Sequence, residues 1–144
     1  MNIPYADKGT DNSTEHLSFK LKAVSPFRLD LTTWALRRRS NNIVDRWVDG
    51  SWRRILVFKT KPIEVVVKQD ILQDNNMLQV SLVGLHLEDN DKKELRAILE
   101  KCLGIKKDLQ GFYQLAKGDD KLNYLVNLFL GLKPPRFPSI FELQ

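Results

Sequence analysis

All three tryptophans and six of the nine arginines of this 144-residue chain fall between Trp34 and Arg54, in the stretch WALRRRSNNIVDRWVDGSWRR. Within it only Asp45 and Asp49 offset the charge. A guanidinium fork matches phosphate oxygens, and an aromatic face stacks on a base, so the chemistry this spacing offers first is nucleic-acid binding. The candidate contacts are Arg37, Arg38, Arg39, Arg53 and Arg54. A structural explanation competes with that one. Large aromatics in small domains are commonly core anchors, and arginines at a helix end complement the negative pole of its dipole. Arg53 and Arg54 are also strand neighbours and must point to opposite faces, so at most one can join a patch on either face.

No other residues offer a reaction. The chain carries no GxGxxG, no GxxxxGK[ST], no HExxH and no GxSxG. His16 falls in a polar start and His86 at a strand end, neither beside a partner for metal binding or base catalysis. Glu88, Asp89 and Asp91 precede an amphipathic stretch, where acids serve a helix N-terminus. Glu64 stands alone on a strand. The one cysteine, Cys102, lies in an apolar helical pattern and reads as a buried thiol; a single cysteine excludes an internal disulfide and a cysteine-based zinc site. No catalytic residue, metal site or cofactor is therefore nominated. The net charge of +5 and pI near 9.4 favour an anionic partner. No run reaches the roughly 18 apolar residues of a membrane span, and the polar start is no signal peptide, so an intracellular protein without membrane contact is expected.

The elements that must position these residues follow from periodicity. Residues 1–15 are patternless. Residues 17–24 alternate apolar and basic, as a half-buried strand does. Residues 30–39 read as a short helix that Asp30 caps, with Leu31, Trp34 and Ala35 turned inward and Trp34 buried against a sheet. Strands follow at 43–48, 52–59, 63–68 and 77–83, with Asp49-Gly50 and Lys61-Pro62 as turns and Trp47 or Trp52 covering a sheet face. Residues 90–103 are the clearest helix, with Leu95, Ile98, Leu99, Cys102 and Leu103 on one face, a cap among 89–91 and Gly104 at the end. Strand, helix, four strands, helix describes an α+β fold with helices on one face of an antiparallel sheet. Two further helices read at 108–117, where Phe112, Leu115 and Ala116 bury together, and at 120–130, ended by Gly131. After Pro134-Pro135 the segment from Pro138 has the form of another helix's first turn, and the sequence is expected to end inside a structure.

Three stretches carry a resemblance. Trp-Ala-Leu-Arg-Arg-Arg with Val44-Asp45-Arg46-Trp47, the helical region from Leu103, and Gly131-Leu-Lys-Pro-Pro-Arg-Phe-Pro138 look like the amino-terminal part of a helix-hairpin-helix superfamily DNA glycosylase. The branch is that of 3-methyladenine DNA glycosylase II, with the 8-oxoguanine glycosylases close by. The resemblance runs from about residue 17 to the end. It implies residues 16–104 as a TATA-binding-protein-like antiparallel sheet with two helices, and residues 105–144 as a short helical extension opening the helical catalytic part. Residues 1–15 would be a disordered start.

The resemblance implies a DNA-repair enzyme that hydrolyses the N-glycosidic bond of an alkylated or oxidised base in duplex DNA, in the nucleoid of a prokaryotic cytoplasm. It also marks what is missing. The family's hairpin and catalytic aspartate follow later, and none of the six prolines here precedes a glycine. This chain alone is then expected to be non-catalytic, partnered by a C-terminal helix-hairpin-helix half and reaching DNA through the whole enzyme. Phe112, Phe129, Phe137 and Phe141 are the candidate contacts with that half. The alternatives are a free-standing nucleic-acid-binding module or a protein-interaction module.

Overall fold

The computed structural model describes residues 14–37, 41–70, 76–85 and 87–136. Its elements in chain order are β1 (Thr14–Lys22), α1 (Leu29–Arg37), β2 (Arg46–Val48), β3 (Ser51–Phe58), β4 (Lys61–Gln69), β5 (Met77–Leu85), α2 (Asp89–Leu103), α3 (Gln110–Ala116) and α4 (Asp120–Leu128). The α+β expectation holds. β2 to β5 form a meander, and β1 pairs with β5 at the far edge, giving the order β1-β5-β4-β3-β2 with every pairing antiparallel.

The alternation in each strand decides which face is covered. Phe19 and Leu21 of β1, Leu78, Val80 and Leu82 of β5, Ile63, Val65 and Val67 of β4, and Trp52, Leu56 and Phe58 of β3 are all buried on one face. α1 and α2 close that face with Leu29, Leu36, Leu95, Leu99, Cys102 and Leu103. The other face is open: Ile55 and Val57 are exposed there. Both hairpin turns take left-handed backbone in their two central residues, as the twist of a two-residue hairpin requires. Asp49 and Gly50 have φ of 52° and 72°, and Lys59 and Thr60 have 48° and 66°. The second turn therefore falls at Lys59-Thr60, ahead of the expected Lys61-Pro62, which begins β4 instead.

Several local expectations are corrected. β1 starts at Thr14, so His16 belongs to a strand and pairs with Val83. The inward face of α1 is Leu29, Thr32, Thr33 and Leu36, an i, i+3, i+4, i+7 stripe, whereas Trp34 is 53% exposed. The two threonines are tolerated inside because their hydroxyls are used: Thr33 Oγ1 donates to Leu29 O (2.8 Å), and Thr32 Oγ1 accepts from Lys133 N (3.1 Å). Asp30 does not cap α1. It pairs with Arg28 at 2.6 Å, and Leu29 N donates instead to Gln69 Oε1 (2.9 Å), while Gln69 Nε2 donates to Phe27 O (2.8 Å). The N-cap of α2 is Glu88, whose N–H donates to Asp91 Oδ2 (3.1 Å), in place of a residue within 89–91.

The segment after α4 is fastened to the sheet-and-helix part. Arg28 N donates to Gly131 O (2.8 Å), and Arg136 N donates to Cys102 O (2.9 Å). Lys133 is fully buried, its ammonium donating to Lys107 O, and burial holds its pKa below the ordinary lysine value. Phe112 and Leu115 are exposed and only Ala116 of the expected trio is buried, because α3 and α4 meet mainly each other and no further layer covers them among the described residues.

Candidate nucleic-acid interface

The structure separates the five candidate arginines. Arg38 and Arg39 lie outside the described residues. Arg37 ends α1 with its guanidinium 5.4 Å from the ring centroid of Trp47, and its Nε donates to Thr33 O (3.3 Å). Partial burial draws its pKa below the ordinary arginine value, against the pull of Asp45 and Asp30. Arg53 lies on the open sheet face, opposite Arg46 across the β2–β3 pair, with Glu64 at 3.9 Å. Glu64 is thus not isolated.

Arg54 points into the core and not to an outer patch. It is 1% exposed, and Nη1 reaches both oxygens of Asp45 at 3.1 and 3.2 Å. Asp45 also accepts from Trp52 Nε1 (3.0 Å) and from Asn42 Nδ2 (3.2 Å). A charge inside a core needs a partner and hydrogen bonds to remain there, and this carboxylate supplies both. Arg54 therefore anchors the 42–45 loop and offers nothing to an outside anion. Its separation from Arg53 onto the opposite face is the alternation of a strand.

What remains outside is smaller than the sequence cluster: Trp34 and Arg37 on α1 beside half-buried Trp47, and the Arg46 and Arg53 pair on the open sheet face. Trp34 is the one exposed tryptophan, with Trp47 half-buried and Trp52 at zero exposure. A second surface lies between α3 and α4. Phe112 and Phe129, 46% and 40% exposed, border an apolar groove of about 370 Å³ with Leu125 and Pro134. Phe137 and Phe141 lie outside the described residues. Sequence reasoning missed Asp45 as an organiser and Lys133 as a core residue; its place as one of two acids in a basic run was the only signal of the first.

Among the described residues, no group of three or more histidine, cysteine, aspartate or glutamate side chains could hold a metal, and no helix is long and apolar enough to cross a membrane.

No protein-family model matches the chain, and no curated protein does. Solved structures do. A 3-methyladenine DNA-glycosylase from Archaeoglobus fulgidus matches with a TM-score of 0.66 at 20% identity, over 86% of this chain. The two share a fold. The match spans 41% of that chain, so the shared part is well under half of the glycosylase.

Proposed function

We propose that this chain is the non-catalytic amino-terminal domain of a DNA base-excision-repair glycosylase of the helix-hairpin-helix superfamily. The observation that carries the reading is the fold match, in which 86% of the chain corresponds to 41% of a 3-methyladenine DNA-glycosylase. The commitment of the buried acids supports it. Asp45 is held by Trp52, Arg54 and Asn42, and Asp91 by Lys59 and the Glu88 N–H. A carboxylate that serves glycosidic cleavage needs an open position beside a flipped base, which neither has.

In this reading residues 16–104 are a scaffold and residues 105–144 open the helical half. The groove between α3 and α4, lined by Phe112 and Phe129, takes an apolar helix face of the helix-hairpin-helix half, for which Phe137 and Phe141 are further candidate contacts. That half supplies the hairpin that grips phosphates and the aspartate that serves hydrolysis of the N-glycosidic bond of an alkylated or oxidised base. DNA is met through the whole enzyme, in the bacterial or archaeal nucleoid, and no cofactor is needed for hydrolysis. The test is base release from methylated or oxidised duplex DNA. The chain alone should release nothing above a mock preparation, and the protein encoded by its whole reading frame should release a modified base. Release by residues 1–144, or a full frame without a helix-hairpin-helix, sinks the reading.

The exposure of Trp34 next to Arg37 favours a second reading, a free-standing nucleic-acid-binding module. It requires sub-micromolar affinity for duplex that is lost when Arg37, Arg38 and Arg39 become alanine.

A further inference from the structure

Away from the tryptophans, three segments bring cations to one cleft of about 450 Å³. The last turn of α2 contributes Lys101, the loop after it Lys106 and Lys107, and the returning segment Arg136. Glu100 is the single acid in the lining, and it is occupied by Lys106 at 2.9 Å. Among the described residues no carboxylate lies within ion-pair distance of Lys101, Lys107 or Arg136, and all three are exposed. The helix dipole accounts for Lys101 alone, since its field fades within the last turn and the others stand beyond it.

The walls of the cleft are fixed before any ligand arrives. Arg136 N–H is bonded to Cys102 O, and the buried Lys133 ammonium holds Lys107 O. Gly104, at φ 61°, lets the segments close: a Cβ there would lie 2.6 Å from Pro134 O. These bonds also occupy the carbonyls that would repel an anion. Glu100 O and Lys101 O are taken by the cap N–H groups, Cys102 O by Arg136, and Lys107 O by Lys133. Positive charge that converges on an ordered backbone, with these four carbonyls already bonded, suits a tetrahedral oxyanion.

From this geometry we infer that the cleft between the end of α2 and residues 134–136 is a phosphate site that takes the sugar-phosphate backbone of duplex DNA. The choice of DNA over other phosphates rests on the glycosylase reading; the anion chemistry does not. The site is distinct from the Trp34 and Arg37 surface and gives the scaffold a direct backbone contact.

The test titrates labelled duplex with the chain at two salt concentrations, beside the double variant Lys101→Gln/Arg136→Gln. Both side chains are exposed, so the variant should keep its fold, which its thermal melt checks. The duplex should bind the chain with a Kd in the ten-micromolar range, and the variant about tenfold more weakly, with the salt slope reduced by about 2. The amide resonances of Gly104 and Lys107 should shift with duplex. Equal affinity and slope in a folded variant overturn the inference. So does a cleft whose amides shift with inorganic phosphate but not with duplex, which makes it a small-anion site. None of these readouts needs base release, so the failure of the glycosylase reading and the failure of the cleft are separate results.

Discussion

Asp45 shows how one residue can reassign its neighbours. Its carboxylate draws Arg54 and the Trp52 indole inward, leaving Arg37, Arg46 and Arg53 as the outward cations described around them. Asp45→Ala removes the carboxylate that accepts two bonds from the buried Arg54 guanidinium and one from the Trp52 indole. Stability should fall by about 3–5 kcal/mol, measured by chemical denaturation. A loss below about 1 kcal/mol shows that the carboxylate does not hold this cluster together. The tryptophans divide in the same manner. Trp52→Ala should cost about 3–5 kcal/mol because its ring is fully enclosed. Trp34→Ala, with 53% of the residue in solvent, should cost under about 1 kcal/mol. Equal losses at the two positions contradict this placement.

At the scale of elements, the ends of α2 hold the fold in register. Its start is fixed by Asp91, which accepts from Glu88 N–H and from Lys59 Nζ at 2.8 Å. These bonds, with Lys59 the first of them, hold the Asp91 carboxyl below the ordinary carboxylate pKa. The unfolded chain then binds the proton first, so this stability is present above a pH of about 4 and lost as pH falls through the lowered folded value. In melts between pH 6 and pH 3 the chain should lose more of its melting temperature than Asp91→Asn does; equal slopes contradict the linkage. At the other end Gly104 has φ 61° and sits against Pro134 O. Gly104→Ala should destabilise by about 1–2 kcal/mol from backbone handedness alone, and the contact adds to that. Denaturation midpoints with unchanged m-value check it.

For the molecule as a whole, the distribution of apolar surface is the informative feature. The covered face of the sheet is sealed, whereas α4 buries none of its residues fully and Leu115, Leu125, Leu128 and Phe129 stay substantially exposed. An apolar stripe of this kind is stabilised by packing on another element. If the chain has the proposed helix-hairpin-helix partner, Phe112→Glu/Phe129→Glu should cost the chain about 1–3 kcal/mol, since both residues are only partly exposed, yet weaken its association with that separately produced half at least tenfold. Sedimentation of the mixed halves measures this, and undiminished association places the interface elsewhere.

Periodicity determined the elements. Strand alternation placed Trp52, Val65 and Leu82 on one face, and the stripe from Leu95 to Leu103 was legible because both patterns are local and repeat every two or 3.6 residues. The Asp49-Gly50 turn and the Gly104 cap were legible for the same reason, since each needs a backbone conformation few residues adopt. Local pattern failed where the deciding partner is distant in the chain. α1 turned Thr32 and Thr33 inward because Lys133, 101 residues on, and the helix's own carbonyls satisfy them, and Trp34 was left outside. Arg54, read as a candidate DNA contact, became a core residue through Asp45, and Lys133 did so through Lys107 O. Lys101, Lys107 and Arg136 meet in one cleft only after the chain returns across α2. Side-chain type and spacing thus fixed the secondary structure and the fold class, whereas the burial of each charge depended on a partner that only the folded chain brings within hydrogen-bond distance.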